Sequence, residues 1–253
     1  MIHPNSPPLV QIQGLSKRFG EYPALHSIDL DIPSGCVFAL LGPNGAGKTT
    51  TIKLLMGLLQ PTAGSARVAG LDVFLDSVAV KARVGYLPDE PVFYDFLRGR
   101  EIIRFAGEMH GLDARTIKER ADSLAERLQL QSTLGEFAEN YSRGTKKKLG
   151  LICAMLHDPE LLILDEPTNG LDPHSTLVLH ELMREAAGRG RTVFFSTHLL
   201  NQAEKLCDLV AIVREGRIVA RGTLRELRQR FGSDVSLEQL FFQITEGDTK
   251  EAA

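Results

Sequence analysis

The chain has 253 residues, of which 43% are hydrophobic and 24% charged, and its formal net charge is −3. This length and composition predict a globular protein of one large or two ordinary domains with a substantial core. The slightly negative charge excludes an overall electrostatic attraction to nucleic acid or acidic membranes, although a local basic patch remains compatible with it.

The cysteines, the N-terminal sequence and the length of the apolar runs bear on the cellular compartment of the protein. Cys36, Cys153 and Cys207 lie far apart and form no CxxC pair, so we expect reduced, mostly buried thiols in a cytosolic protein. The N-terminal sequence MIHPNSPPLV lacks the charged and apolar regions of a signal peptide. No apolar run approaches the roughly 18–20 residues that cross a bilayer, so a membrane function would need another chain.

The first predicted elements lead into a glycine-rich loop. Residues 25–32 alternate apolar and polar side chains, which predicts a half-exposed strand. After a short turn, the apolar run CVFALLG (36–42) is typical of a buried strand in a parallel sheet. It continues directly into GPNGAGKTT (42–50), and helical spacing follows as far as Leu58.

The middle of the chain is helical, and strands then return. Within residues 101–130 the apolar spacing predicts two helices, the first with Ile102, Phe105, Ala106 and Met109 on one face. The later predicted strands are LLIL (161–164), TVFFS (192–196), LVAIV (209–213) and a hairpin in VREGRIVARG (213–222). This order predicts an α/β protein with a parallel sheet and a helical insertion at about 90–158. The last residues, EGDTKEAA (246–253), are expected to be a frayed tail.

Residues 42–49 fit the phosphate-binding pattern GxxxxGK[ST], with a predicted strand before it and a helix after it. Gly42, Gly45 and Gly47 allow the backbone to curl so that successive N–H groups face a phosphate. Lys48 would reach the β- and γ-phosphates, and Thr49 would ligate Mg²⁺. The alternative, a glycine-rich turn with a chance lysine, does not explain the strand–loop–helix context.

Acidic residues and a histidine follow two later strands. In LLILDEP, Asp165 can reach Mg²⁺ and its waters at the sheet edge, and Glu166 is a candidate general base for an attacking water. Without the phosphate loop, a strand that merely ends in two acids would be the better interpretation. His198 follows the strand in FFSTH, where catalytic groups of α/β proteins gather, and this placement favours function over a structural role.

The segment ENYSRGTKKKLGL (139–151) combines a small polar motif with three lysines. Apolar spacing from Leu149 to Leu156 predicts a helix that begins near residues 142–146. Its N-terminus would leave the Ser142 hydroxyl and the Gly144 N–H free to bind an anion. We expect the lysines at 146–148 to form mostly a solvated face beside this site rather than to act directly in catalysis. Nucleic-acid binding is the weaker interpretation, because the chain is net acidic and no aromatics interleave the lysines.

These motifs, together with NGLD (169–172), resemble in order and content the nucleotide-binding subunit of an ATP-binding cassette (ABC) transporter. The resemblance covers about residues 9–230. It implies a P-loop ABC ATPase core with a parallel sheet, an N-terminal antiparallel β subdomain and an inserted helical subdomain, all in one domain spanning 1–253. The implied parts are a core at about 9–89 and 159–230, a helical signature subdomain at about 90–158 and a C-terminal extension at about 231–253.

The resemblance also implies a mechanism and partners. Two such subunits dimerise head to tail with two ATP molecules between them, and ATP hydrolysis drives multi-span membrane permease subunits. The second subunit would be another copy of this chain or a paralogue, and the permease subunits would be separate chains. The complex would lie on the cytoplasmic face of the cell membrane and use ATP and Mg²⁺, with no nucleic-acid partner.

The family's functional residues can be assigned by position. Phe19 would stack on adenine, with Tyr22 as the second candidate and a core aromatic as the alternative for Phe19. His198 would contact the γ-phosphate, and Asp172 would lie in the loop that crosses the dimer interface. Lys48, Glu166 and His198 are the implied catalytic residues. The implied nucleotide- and metal-contacting residues are Phe19, Gly42, Pro43, Asn44, Gly45, Ala46, Gly47, Lys48, Thr49, Thr50, Asp89, Ser142, Gly144, Asp165 and Asp172, with Mg²⁺ assigned to Thr49, Asp89 and Asp165.

Two motifs depart from the family pattern, at three positions. Asp89 stands where the family has the glutamine that gives the Q-loop its name, and a carboxylate there can ligate Mg²⁺ but adds negative charge beside the triphosphate. In the signature YSRGT (141–145), Arg143 replaces the first glycine of LSGGQ and Thr145 replaces its glutamine. Together with YLPDEPVFYDFLRG (86–99) and SLEQLFFQIT (236–245), these departures resemble subunits of export systems whose membrane proteins are separate chains.

Other functions of the same fold stay open at this point. A cytosolic ABC ATPase in cofactor assembly, one acting on nucleic acid or ribosomes, and a catalytically silent module are the alternatives. The nucleic-acid enzymes of the family usually carry two cassettes or a long coiled-coil insertion, and this chain has neither. The sequence does not identify the transported substrate, the direction of transport, or a homodimer against a heterodimer.

Overall fold

The structure, a computed structural model, describes residues 8–231 and 236–246, so most of the predicted tail at 246–253 lies outside the described residues. The strands are β1 (Val10–Phe19), β2 (Tyr22–Ile32), β3 (Val37–Leu41), β4 (Ala63–Val68), β5 (Leu71–Asp72), β6 (Val84–Leu87), β7 (Leu161–Asp165), β8 (Thr192–Thr197), β9 (Leu209–Arg214) and β10 (Arg217–Gly222). The helices are α1 (Lys48–Leu55), α2 (Ser77–Lys81), α3 (Gly99–Met109), α4 (Ala114–Arg127), α5 (Arg143–Met155), α6 (Pro173–Gly188), α7 (Leu200–Leu206), α8 (Leu224–Phe231) and α9 (Leu237–Glu246).

A six-stranded sheet forms the centre, in the order β10-β9-β3-β8-β7-β6. Its strands are parallel except for β10, which pairs with β9 as the predicted antiparallel hairpin. Alternate residues of β3 enter different cores: Phe38 and Leu40 lie in one, and Ala39 and Leu41 in the other. The sheet is therefore buried on both faces, which explains why its strands read as continuous apolar runs.

A second, antiparallel sheet packs against one face of the first, in the order β2-β1-β4-β5. Leu15 of β1 and Ile28 of β2 share a core with Phe38 and Phe194 of the central sheet. The predicted fold class, an α/β protein with a parallel sheet and an N-terminal antiparallel β subdomain, is confirmed.

The helices α3, α4 and α5 lie between β6 and β7 and contribute to the core on the other face of the central sheet. Two details of the predicted helices are wrong. The buried arc of α3 runs through Ile102, Ile103 and Gly107, which leaves Phe105 and Met109 exposed at its margin. Helix α1 ends at Leu55 and does not reach Leu58, because the chain turns at residue 57. Within the described residues, no helix has both the length and the apolar character to span a membrane.

Candidate functional site

Four neighbouring parallel strands end at one edge of the central sheet, and each delivers a candidate residue there. Leu41 of β3 is opposite Thr197 of β8, Asp165 of β7 is opposite Ser196 of β8, and β6 pairs with β7 alongside. Consequently the segments that begin at residues 42, 88, 166 and 198 start side by side. This carboxyl edge is where α/β proteins bind ligands.

The loop after β3 has a backbone that only glycine fits at two positions. A Cβ atom at Gly42 would overlap the carbonyl oxygen of Val213, and one at Gly47 would lie 2.7 Å from Leu25 Cδ2. Gly47 also has a φ of 109°, in the left-handed region, and α1 begins at the next residue. The loop is thus a tight cradle at a helix N-terminus, an arrangement that fits a phosphate group.

Lys48 is anchored inside this cradle. Its side chain is 6% exposed, and Nζ donates hydrogen bonds to the carbonyl oxygens of Gly42 at 2.8 Å and Pro43 at 3.3 Å. The same nitrogen lies 3.3 Å from Glu166 Oε1. The loop and the acidic pair are therefore joined through one buried ammonium group.

Glu166 is held in a conformation that non-glycine residues rarely adopt, with a φ of 43°. Its N–H donates to the carbonyl oxygen of Ser196 at 3.2 Å and to Ser196 Oγ at 3.1 Å. Oε2 lies 3.0 Å from His198 Nδ1, whereas the buried Oε1 has no partner with hydrogen-bond geometry among the described residues, despite its proximity to Lys48. A carboxylate that is held between His198 and Lys48 and lines the cavity described below fits the role of a general base.

Asp165 is buried directly beside Glu166, and its Oδ1 accepts a hydrogen bond from the Ser196 hydroxyl at 2.5 Å. Ser196 therefore contacts both acidic residues, and we did not identify it from the sequence. Its position opposite Asp165 in the register of β7 and β8 was the available signal. Burial, and secondly the charge of Asp165, raise the pKa of nearby Tyr86 to about 12.

A cavity of about 320 Å³ opens beside the loop. Its lining includes Phe19, Tyr22, Asn44, Lys48, Thr49, Asp89 and Glu166. Phe19 is 48% exposed, so the alternative that it is a core aromatic is wrong. Aromatic rings at one end and a glycine cradle with a lysine at the other fit a nucleotide. Among the described residues no cluster of three His, Cys, Asp or Glu side chains could hold a metal ion.

The signature segment lies outside this cavity. Ser142 is the N-cap of α5, and its Oγ accepts from the Thr145 N–H at 3.1 Å, so the oxygen is engaged rather than free as expected. At Gly144, an added Cβ would lie 2.6 Å from the carbonyl oxygen of Gly170. Asp172 caps α6, and hydrogen bonds from Ser175 hold its pKa well below the usual range. Neither Ser142, Gly144 nor Asp172 lines the described cavity.

The predicted solvated lysine face is wrong, most clearly at Lys147. This side chain is 1% exposed, and its Nζ donates to the carbonyl oxygens of Asp89 at 2.7 Å, Asp165 at 3.2 Å and Pro88 at 3.3 Å. Burial lowers its pKa, and the charge of Asp89 opposes that shift. Lys147 is buried because α5 approaches β6 closely at Gly150, where a Cβ would lie 2.7 Å from Leu87 Cδ1.

The other two lysines are also paired. Lys148 Nζ lies 3.0 Å from Asp172 Oδ2, and Lys146 Nζ lies 3.7 Å from Asp95 Oδ1. The prediction of mostly buried cysteines is consistent with the structure, in which Cys36 and Cys207 are buried and Cys153 is half-buried. Burial raises the pKa of each of these thiols to about 12.

Comparison with known families finds a match to the ABC transporter family over residues 25–169. The chain is 39% identical over 225 residues to a daunorubicin resistance ATP-binding protein of Streptomyces coeruleorubidus, covering 89% of this chain and 71% of that protein. It is 35% identical over 241 residues to the ABC-type transporter ATP-binding protein EcsA of Bacillus subtilis (strain 168), covering 95% and 98%. A linearmycin resistance ATP-binding protein of the same organism is 33% identical over 238 residues, covering 94% and 76%.

Solved structures show the same relationship. A structure of an ATP-binding subunit of an ABC transporter has a TM-score of 0.90 and 34% identity, covering 94% of this chain and 99% of that one. A dimeric ATP-binding cassette bound to ADP and Pi has a TM-score of 0.78 at 20% identity, covering 85% and 99%, and this likeness concerns the fold alone.

Proposed function

This chain belongs to the ABC transporter family as a subunit that binds and hydrolyses ATP, and on that premise we propose that it drives a membrane exporter through ATP-dependent dimerisation. The observation that carries the proposal is the joining of the phosphate cradle to Glu166 through Lys48, with His198 on the other carboxylate oxygen. Residues 1–253 would form a single ATPase domain, with a core at about 9–89 and 159–230, a helical part at about 90–158 and an extension at about 231–253.

The cavity supports a specific placement of the nucleotide. Phe19 would stack on the adenine, with Tyr22 as the second candidate, and the loop residues 42–50 would hold the phosphates through backbone N–H groups. Thr49 and Asp165 would hold Mg²⁺ directly or through water. Bound there, Mg²⁺ would neutralise charge on the phosphate oxygens.

The catalytic roles follow from the fixed groups around Glu166. If His198 Nδ1 carries the proton, it donates to Oε2 and holds the carboxylate in one orientation. Glu166 would then accept the proton of an attacking water through Oε1, which in this structure is paired with Lys48. Nε2, on the opposite edge of the His198 ring, would then face the terminal phosphate and would donate to it when this nitrogen also carries a proton. Lys48 would contribute positive charge at the phosphates from a position that its buried carbonyl contacts already define.

Dimerisation is supported by the position of the signature and interface residues outside the cavity. Ser142, Gly144 and Asp172 carry the signature and interface motifs, yet they do not line the cavity described above. We propose that they complete the site of a second copy or of a paralogue, with Ser142 donating its hydroxyl hydrogen and the first turn of α5 its N–H groups to the terminal phosphate. Each ATP would therefore be hydrolysed only between two subunits.

Export is supported by the relatives, two of which are named for resistance to daunorubicin and to linearmycin. The permease would be one or more multi-span chains, and this subunit would sit peripherally on the cytoplasmic face of the membrane. No nucleic-acid partner is proposed. A role in cofactor assembly or on ribosomes is the second candidate, although no feature of the described structure favours it.

The test is purification of the affinity-tagged full chain from its own cells in mild detergent. Co-purification of a multi-span membrane protein, with ATPase activity that changes when both are placed in liposomes, is the expected result. Co-purification of RNA, or of a soluble assembly complex without any membrane protein, would overturn the transporter proposal.

A further inference from the structure

A buried lysine in the signature helix contacts the ends of two strands that carry the site. We propose that Lys147 is a positioning residue for ATP hydrolysis, which sets the backbone of Glu166 and is balanced in charge by Asp89. This inference rests on the proposed role of Glu166 as the general base. Lys147 does not line the cavity, so it would act only through the groups that it holds.

Lys147 contacts the peptide unit between Asp165 and Glu166. Its carbonyl oxygen accepts from Lys147 Nζ at 3.2 Å, and its N–H donates to Ser196 Oγ at 3.1 Å. Both polar atoms of this peptide are thus fixed by side chains from different elements, α5 and β8. Because Glu166 has the unfavourable φ of 43°, the surrounding contacts have to hold it there.

Lys147 also contacts the chain at the end of β6, the strand that pairs with β7. Lys147 Nζ also donates to the carbonyl oxygens of Pro88 and Asp89, immediately after β6. One ammonium group therefore ties the segment after β6, the segment after β7 and the signature helix together. A displacement of α5 would move the carboxylate of Glu166 as well as the edge of the cavity at Asp89.

The carboxylate of Asp89 balances the charge of Lys147, which gives Asp89 a role other than metal binding. Asp89 Oδ1 lies 3.4 Å from Lys147 Nζ, accepts from Asn169 Nδ2 at 3.2 Å, and lies 3.6 Å from Arg143 Nη2. Asp89 and Arg143 are the two charged departures from the family pattern, and here they face one another beside the buried lysine. Asp89 is thus placed as the counter-ion of Lys147, with its Oδ1 also accepting a hydrogen bond from Asn169 and paired with the guanidinium group of Arg143.

The experiment compares full-length Lys147→Met, Asp89→Asn and the double variant. Two neighbouring substitutions are the controls: Lys146→Met, whose ammonium pairs with exposed Asp95, and Glu90→Gln, whose carboxylate is also paired with Arg143 but is not in contact with Lys147. Measurements are kcat, KM for ATP, nucleotide affinity in EDTA, the Mg²⁺ concentration for half-maximal hydrolysis, and amide hydrogen exchange across residues 161–169.

We expect Lys147→Met to lower kcat about tenfold or more while nucleotide affinity and KM stay within about twofold, since the phosphate cradle is intact. Exchange across 161–169 should accelerate about tenfold in Lys147→Met and not in Lys146→Met. Asp89→Asn should lower kcat with half-maximal Mg²⁺ unchanged, and the double variant should be no worse than Lys147→Met, because the two groups act as a unit.

Unchanged kcat and exchange in Lys147→Met would overturn the proposal. If Lys147→Met does not fold, Asp89→Asn decides: an about tenfold higher Mg²⁺ requirement, or wild-type kcat, would also overturn it. Absence of hydrolysis in the wild type would instead overturn the proposed function, and the exchange measurement would still decide whether Lys147 holds the Glu166 peptide.

Discussion

Acidification should destabilise the protein through a pair of stacked histidines that was not identified from the sequence. His157, just after α5, stacks on His110, just after α3, with ring centroids 3.6 Å apart and an interplanar angle of 6°. Burial, and next the charge of His110, lower the pKa of His157 from 6.5 to about 4. The unfolded chain therefore binds a proton near pH 5 that the folded chain excludes, and stability falls as the pH drops below about 6.5.

The size of this effect follows from linkage between the two pKa values. Between pH 7 and pH 5, a shift from 6.5 to about 4 removes about 2 kcal/mol of unfolding free energy, which we discount to about 1–2 kcal/mol because the side chain is only partly buried. For a chain of this size, each kcal/mol corresponds to roughly 2–4 °C in the unfolding midpoint.

Urea unfolding at pH 7 and pH 5 measures the effect, with His157→Phe as the matched variant because it keeps a stacking ring and cannot be protonated. Nearby Arg120 and Asp158, and every other titrating group, are present in both proteins, so the difference between them isolates position 157. The wild type should lose about 1–2 kcal/mol more than the variant. Equal losses would show that the buried imidazole does not control the pH dependence.

Three further predictions concern the nucleotide site. Phe19→Ala should weaken binding of a fluorescent ATP analogue by about 1–3 kcal/mol, as for other base–aromatic stacks, and more than Tyr22→Ala does; the reverse order would assign the adenine to Tyr22. Gly42→Ala should lower the unfolding free energy by about 1–3 kcal/mol, because its Cβ would overlap the Val213 carbonyl, and wild-type stability would contradict that packing. Ser142→Arg should abolish hydrolysis and ATP-dependent dimerisation on size exclusion but retain ATP binding to the single subunit; normal hydrolysis would refute a signature acting across the dimer.

The sequence predicted those parts of the site that local backbone chemistry determines. Gly47 has a φ of 109°, so the backbone of the loop itself favours glycine there, and the motif predicted this turn. The motif also predicted Gly42, although the structure requires glycine there because the Val213 carbonyl lies so close. Because Asp165 ends a continuous apolar run, the sequence also predicted that the acidic pair would lie at the sheet edge. The parallel pairing of β3, β8 and β7 then brings the segments together, as expected for strands that alternate with helices.

Features that depend on distances between elements were not predictable in this way. Lys147 is buried because α5 approaches β6 closely at Gly150, and a run of three lysines carries no signal of that approach. Strand β1 escaped detection because irregularities in its pairing, between Ile12 and Leu15 and again near Lys17, interrupt the alternation of its side chains. Ser196 shows its role only when β8 is placed next to β7.

The most direct test of ATP hydrolysis at this edge of the sheet is the Glu166→Gln variant. The substitution keeps the size and the hydrogen bonding of the side chain but removes its basicity, so ATP binding should persist while turnover falls by about 10²-fold or more. Because ATP then stays bound, the variant should form a stable ATP-dependent dimer on size exclusion. Glu160→Gln, which changes a partly exposed carboxylate that lies before β7 and pairs with Arg83, should behave as the wild type. Hydrolysis by Glu166→Gln at a rate near that of the wild type would contradict the assignment of Glu166 as the general base.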